Sequence, residues 1–202
     1  MKYICRDCPR RCGAEREDFS PGGFCRSPAL PSVIRAAPHF GEEPCISGEK
    51  GSGAIFFTGC NLRCVFCQNR EISRGGVGKI LSVDGLRDLM LRLRDQGVHN
   101  INLVTPSHYL RAVAQALTGL ELGIPVVWNS SGYDSAEGLK RLEGLVQIYM
   151  PDFKYYKNEP ARRYSGAADY PQAAMAAIRK RTADSSIACK KIFIFFSPIL
   201  MK

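Results

Sequence analysis

From residue 51 to 182 short apolar runs alternate with stretches of helical periodicity, and this rhythm restricts the fold more than any other feature. The runs at 54–58, 101–104, 124–128 and 146–150 have the length and apolar content of buried strands. Between the first two, Leu86, Leu89, Met90 and Leu93 repeat at i, i+3, i+4, i+7, and Gly97 follows as a helix stop. Leu110, Val113, Ala114 and Leu117 mark a second helix with Ser107 as its candidate N-cap. Asp134 and Glu137 have capping-box-like spacing ahead of a third helix carrying Leu139 and Leu142. Asp169 and Pro171 open a further helix through Arg179.

Strands that alternate with helices at this spacing build βαβ units around a parallel sheet, joined by right-handed crossovers. The pattern fits either a doubly wound sheet or a β/α barrel. In both, ligands sit beyond the C-terminal ends of the strands. The polar residues at those ends are Cys60, then Thr105 and Ser107, then Asn129 and Ser130, then Asp152 and Lys154. Residues 1–50 differ in character, being rich in Cys, Pro, Gly and Arg. They read as an N-terminal extension to a core of 51–202.

The first strand runs directly into Gly59-Cys60-Asn61-Leu62-Arg63-Cys64-Val65-Phe66-Cys67. Three thiolates on one tight loop at C-x3-C-x2-C spacing can hold three irons of a cubane cluster. The absent fourth cysteine leaves one iron open to a ligand. The competing reading is a zinc knot with a borrowed fourth ligand, but zinc sites more often use paired C-x2-C units. Clustered cysteines in a chain without a secretory signal point to metal rather than disulfides, and eight of the nine cysteines lie within the first 67 residues.

The triplet resembles that of the radical S-adenosylmethionine (radical SAM) superfamily, whose motif places an aromatic residue before the last cysteine, here Phe66. The flanking run from Glu42 to Cys60 is similar to the branch related to pyruvate formate-lyase-activating enzymes, and most of all to its PflX-like members. Further matching blocks are residues 102–109, 129–133 and 149–154. The resemblance implies a partial β/α barrel holding a [4Fe-4S] cluster on Cys60, Cys64 and Cys67. It also implies that S-adenosylmethionine is chelated at the open iron and reductively cleaved to methionine and a 5′-deoxyadenosyl radical. An electron donor such as flavodoxin or ferredoxin would be needed, and a glycyl-radical enzyme is the implied protein substrate.

The resemblance gives cofactor-contacting roles to Asp152 and Lys154, whose two-residue spacing on an extended segment puts both on one side. Asn129 and Ser130 offer neutral hydrogen-bonding groups at the same rim. Relatives carry an Asp-Thr-Asn-Gly run there, and a Gly-Gly-Glu after the second strand where this chain has Thr105-Pro106-Ser107. The cofactor amino group would therefore be held differently, by Thr105 or Ser107. His39 and His108 could titrate near neutrality.

Cys5, Cys8, Cys12 and Cys25 form a second set at C-x2-C-x3-C-x12-C, suited to a structural zinc, to a second cluster, or to no metal at all. Cys45 and Cys189 have no assigned partner. The segment 192–196 has the apolar content of a fifth strand, but the tail does not resemble the continuation in relatives. The chain is therefore expected to be short or out of frame at its C-terminus. The net charge of +9 comes from scattered basic residues and carries no nucleic-acid footprint. No run is long enough to span a bilayer, and the chain reads as cytoplasmic. The remaining readings are a radical enzyme acting on a small molecule or RNA, and a non-catalytic metal-binding protein or fragment.

Overall fold

The computed structural model describes residues 2–182, 191–192 and 195–196. Two strands, β1 (Lys2–Ile4) and β2 (Glu15–Glu17), form a small antiparallel hairpin. The main sheet begins with β3 (Ser32–His39), followed by a short helix α1 (Pro44–Ser47) and the strand β4 (Ser52–Phe57). The one-turn helix α2 (Arg70–Ser73), the short β5 (Lys79–Ile80) and α3 (Val83–Asp95) follow. Then come β6 (Ile101–Val104), α4 (Leu110–Leu117), β7 (Val126–Ser130), α5 (Ala136–Lys140) and β8 (Ile148–Phe153). The last elements are α6 (Asn158–Ser165), α7 (Tyr170–Thr182), β9 (Lys191–Ile192) and β10 (Phe195–Phe196).

Strands β4, β6, β7 and β8 are parallel and lie side by side in chain order. A doubly wound sheet reverses its order at a switch point, whereas a β/α barrel adds each strand beside the last. The order here is that of a partial barrel. The strand expected at 192–196 is described as β9 and β10, both parallel to β8 and in the place of the next barrel strand. Cys189 lies outside the described residues.

The other edge differs from expectation. Residues 32–39, within the Pro- and Gly-rich zone, form a strand antiparallel to β4, with β5 antiparallel beyond it. The segment lacks clean alternation and contains Pro38, so it carries little strand signal of its own. Pairing on both sides supplies its stability.

Side-chain alternation sorts the strands between two faces. Ile55, Phe57, Ile101, Leu103, Val126, Trp128 and Tyr149 turn outward into the main core under α3, α4 and α5. Val127 and Met150 turn to the concave face, where α1 covers them with Ile46. Helix α3 buries Leu86, Met90 and Leu93, each worth about 1.5–3 kcal/mol. Its Ser82 cap accepts from the Gly85 N–H at 3.0 Å.

Two expected caps move. Ser107 starts a 3-10 turn and α4 begins only after Tyr109, whose ring is buried against Phe57 and His108. Helix α5 is capped by Ser135, which accepts from the Gly138 N–H at 2.9 Å, not by Asp134. Asp134 is buried and accepts instead from the Ser130 hydroxyl at 2.5 Å. The strands also run past their expected ends, so Asn129 and Ser130 close β7 and Asp152 is the penultimate residue of β8, none of them a loop residue.

Candidate active site

A cleft of about 600 Å³ opens at the C-terminal ends of the parallel strands, a size typical of small-molecule sites. Cys60, Cys64 and Cys67 all line it, together with Phe66, Asn129, Ser130, Asp152 and Lys154. Strand alternation puts Phe56, Val104, Asn129, Met150 and Asp152 in phase, so apolar and polar groups share the concave floor. The three cysteines, Phe66, Asn129, Ser130, Asp152 and Lys154, named from the sequence as site candidates, therefore line one space, whereas Ser107 and His108 do not.

The cysteine loop is tightly held. Gly59 leaves β4 at φ +82, and a Cβ there would lie 2.1 Å from Ser27 Oγ and 2.7 Å from the Cys25 carbonyl oxygen. Only glycine lets the chain turn this close to the N-terminal segment. Asn61 donates to the Tyr133 carbonyl at 2.6 Å, and Leu62 is fully buried. The Leu62 and Arg63 N–H groups point at Cys60 Sγ, at 3.3 and 3.5 Å. Burial pushes the Cys60 thiol up to about 11, against the pull of those two N–H groups. A metal that binds there must displace a proton. Phe66 packs edge-on against Tyr155 and Tyr164, closing the far wall.

Arg10 reaches this loop from the N-terminal segment. It donates from Nε to the Asn61 carbonyl at 2.9 Å and from Nη2 and Nη1 to the Ser165 and Gly166 carbonyls, both at 2.5 Å. Its guanidinium also sits 3.7 Å over the Phe24 ring. One side chain thus ties the cysteine loop to the C-terminal end of α6.

Lys154 Nζ donates to Asp152 Oδ2 at 2.5 Å on the cleft wall. Burial works against the lysine charge, but Asp152 and the sulfurs of Cys64 and Cys60 outweigh it, so its pKa is raised. Gly132, at φ +75, lets the turn after β7 close on this pair, since a Cβ would lie 2.4 Å from the Asp152 carbonyl oxygen. Tyr170 Oη donates to that carbonyl at 2.7 Å and accepts from the Lys154 N–H at 2.8 Å.

Other expected contacts change. Ser130 lines the cleft, but its hydroxyl donates to Asp134 and accepts from the Gly132 N–H at 3.1 Å. Thr105 lines the cleft in a left-handed conformation, φ +58, whereas Ser107 is buried beside Asp134 and away from it. His39 is on the cleft rim. His108 is buried with Nε2 2.7 Å from the Thr58 carbonyl, and burial pulls its pKa down to about 3, so it does not titrate near neutrality. Glu42 and Glu43 also line the cleft, unforeseen by sequence reasoning. Burial and the neighbouring Glu43 carboxylate raise the Glu42 pKa. The only sequence sign was their place in the block that precedes β4.

A protein-family model described as the radical SAM superfamily matches residues 54–187, well over half of the chain. The chain belongs to the radical SAM superfamily. An uncharacterized protein of Methanocaldococcus jannaschii, MJ0674, is 35% identical over 175 residues, which cover 82% of this chain and 50% of the relative. This radical SAM chain therefore spans half the length of the curated relative it matches. Superfamily membership implies a [4Fe-4S] cluster and S-adenosylmethionine. The donor set fits such a cluster. Three thiols of one loop face one cleft, N–H groups point at a sulfur, and a lysine stands within reach of their negative charge. Among the described residues no three His, Cys, Asp or Glu side chains converge on a single ion. A cubane does not require that, since each thiolate binds a different iron.

Proposed function

We propose that this chain is a radical SAM enzyme in which Cys60, Cys64 and Cys67 hold the [4Fe-4S] cluster and Asp152 and Lys154 position S-adenosylmethionine. The carrying observation is that all five side chains line the same cleft at the strand ends. When bound and reduced, the cluster supplies the electron that splits the sulfonium C–S bond, giving methionine and a 5′-deoxyadenosyl radical.

The protein supplies orientation and a shaped, partly dry site. Lys154 pairs with the cofactor carboxylate, and Asp152 takes its ammonium or a ribose hydroxyl. The Asp152–Lys154 bond of 2.5 Å keeps the two groups side by side for that exchange. Phe56, Val104 and Met150 provide the apolar floor that keeps water from the reacting bond. The N–H groups on Cys60 Sγ stabilise negative charge on sulfur, which raises a cluster's reduction potential.

The test is anaerobic reconstitution with iron and sulfide, reduction with dithionite, and assay for 5′-deoxyadenosine. Product from the wild type, with loss of iron on Cys64→Ala, supports the reading. A fully loaded wild type that yields none refutes it. Lys154→Met should keep the iron and weaken S-adenosylmethionine binding about 10- to 100-fold, the loss of one charge-assisted hydrogen bond of about 1.5–3 kcal/mol. Unchanged binding would remove Lys154 from the cofactor site.

The resemblance of several sequence blocks to the PflX-like branch extends the proposal to the substrate, a glycine of a partner protein from which hydrogen is abstracted. A glycyl radical seen by electron paramagnetic resonance in a co-purified partner supports this. Its absence, with turnover on a small molecule or RNA, rejects it.

A further inference from the structure

The N-terminal segment presents an unsolved problem of stability. None of the apolar clusters among the described residues contains a side chain before Val33. Yet Cys5, Cys8 and Cys25 are buried, and the loop between them carries Arg10 to the cysteine loop of the active site. A Pro- and Gly-rich segment without a core needs another source of order, and in small folds that source is commonly a metal.

Two backbone turns bring the four cysteines together. Cys5 accepts from Gly13 and donates to Ala14 at the end of the β1–β2 hairpin, and the Arg11 N–H closes a turn on the Cys8 carbonyl. The second turn is the Gly22–Ser27 bridge, which encloses Cys25. Cys12 reaches across to it, since a Cβ on Gly23 would lie 3.1 Å from Cys12 Sγ. All four cysteines line one cavity. No three of these sulfurs yet converge on a point, so ligation requires rotation about χ1. The cavity is about 10 Å³, room for roughly one water-sized body, which favours a single ion over an eight-atom iron–sulfur cage.

The charges around this cavity point to anionic sulfur. Arg16 lines it and is only 1% exposed. Its guanidinium donates to the Pro28 and His108 carbonyls, and its Nη1 faces Cys25 Sγ at 3.4 Å and Cys5 Sγ at 4.0 Å. The buried carboxylate of the segment, Asp7, is taken by Arg111 at 2.8 Å. A buried guanidinium needs a counter-charge, and the sulfurs of Cys25 and Cys5 are in reach of it. Three buried polar atoms on the same lining residues, Arg16 Nε, Asn61 Oδ1 and His108 Nδ1, have no hydrogen-bond partner among the described residues.

We propose that Cys5, Cys8, Cys12 and Cys25 ligate a single zinc ion, which locks the N-terminal segment so that Arg10 holds the Cys60–Cys67 loop. Four thiols release four protons as the divalent ion binds, leaving a site of charge −2 that Arg16 partly neutralises. The ion takes no part in the reaction. Its role is to fix Arg10, which sits between the second and third ligands.

The test uses the full chain, reconstituted with iron and sulfide and supplied with zinc ion. About one zinc per chain is expected besides the iron, with a zinc-edge X-ray absorption spectrum showing four sulfurs at about 2.3 Å. Cys8→Ser and Cys25→Ser should each lose the zinc, at least tenfold by metal analysis, while Cys45→Ser keeps it. Zinc retained in both variants overturns the proposal. So do a first shell of fewer than four sulfurs and a second set of iron and sulfide lost in the same variants. If the serine variants do not fold, the wild-type absorption spectrum decides by its sulfur count. Each readout is independent of S-adenosylmethionine cleavage, so failure here and failure of the radical reading are separable.

Discussion

Replacing Arg10 with Ala removes the tie between the N-terminal segment, the cysteine loop and α6. Its two part-buried donors, to Asn61 and Ser165, are charge-assisted bonds worth about 1.5 kcal/mol each at the low end. The stack on Phe24 adds about 0.5–1 kcal/mol. The donor to Gly166 is exposed and the reach to Leu62 is long at 3.4 Å, so both are counted as negligible. The expected loss is about 3–4 kcal/mol, a large part of the roughly 5–15 kcal/mol available to a domain. Arg10→Lys keeps the charge but not the planar fork, and should lose about half as much. Trp128 is the single tryptophan and 1% exposed, so its fluorescence reports unfolding in urea. A shift below about 1 kcal/mol for Arg10→Ala, or equal stability of Lys and Arg at this position, would refute the reasoning.

Gly132→Ala should cost at least about 2 kcal/mol, because φ +75 is strained for alanine and the new Cβ meets the Asp152 carbonyl. Wild-type stability in thermal unfolding would sink this account of the turn. Burial first, and the Arg16 charge with it, hold His108 neutral down to about 3 against its ordinary 6.5. Its contribution is complete above pH 6.5 and is lost as pH falls from there toward 3, by about 1.4 kcal/mol per pH unit. His108→Gln should flatten the stability profile between pH 6.5 and 5 relative to wild type, and parallel profiles would contradict a buried neutral imidazole.

Much of the fold was legible because its signals are local. The apolar runs at 101–104 and 124–128 and the 3.6-residue spacing of Leu86, Met90 and Leu93 depend only on near neighbours. Burial of both faces of a strand enforces the first pattern, and burial of one face of a helix the second. The same locality made the cysteine triplet readable, since its three thiols lie on one loop after one strand. The shared side of Asp152 and Lys154 was legible for a similar reason, since they lie two residues apart where β8 ends.

What the sequence did not reveal depends on groups far apart in the chain. Strand β3 forms because β4 and β5 flank it, not because 32–39 alternates cleanly. Glu42 and Glu43 enter the cleft because α1 packs Ile46 across Val127 and Met150. Asp134 looked like a helix cap, but tertiary packing buried it and gave it Ser130 as a partner. Arg10 bridges 51 residues to Asn61 and 155 to Ser165, a span with no periodic trace. By itself the sequence determined the strand rhythm and the cysteine triplet. The tertiary structure decided which distant residues hold that triplet in place, because long-range contacts are set by packing geometry rather than by neighbours in the chain.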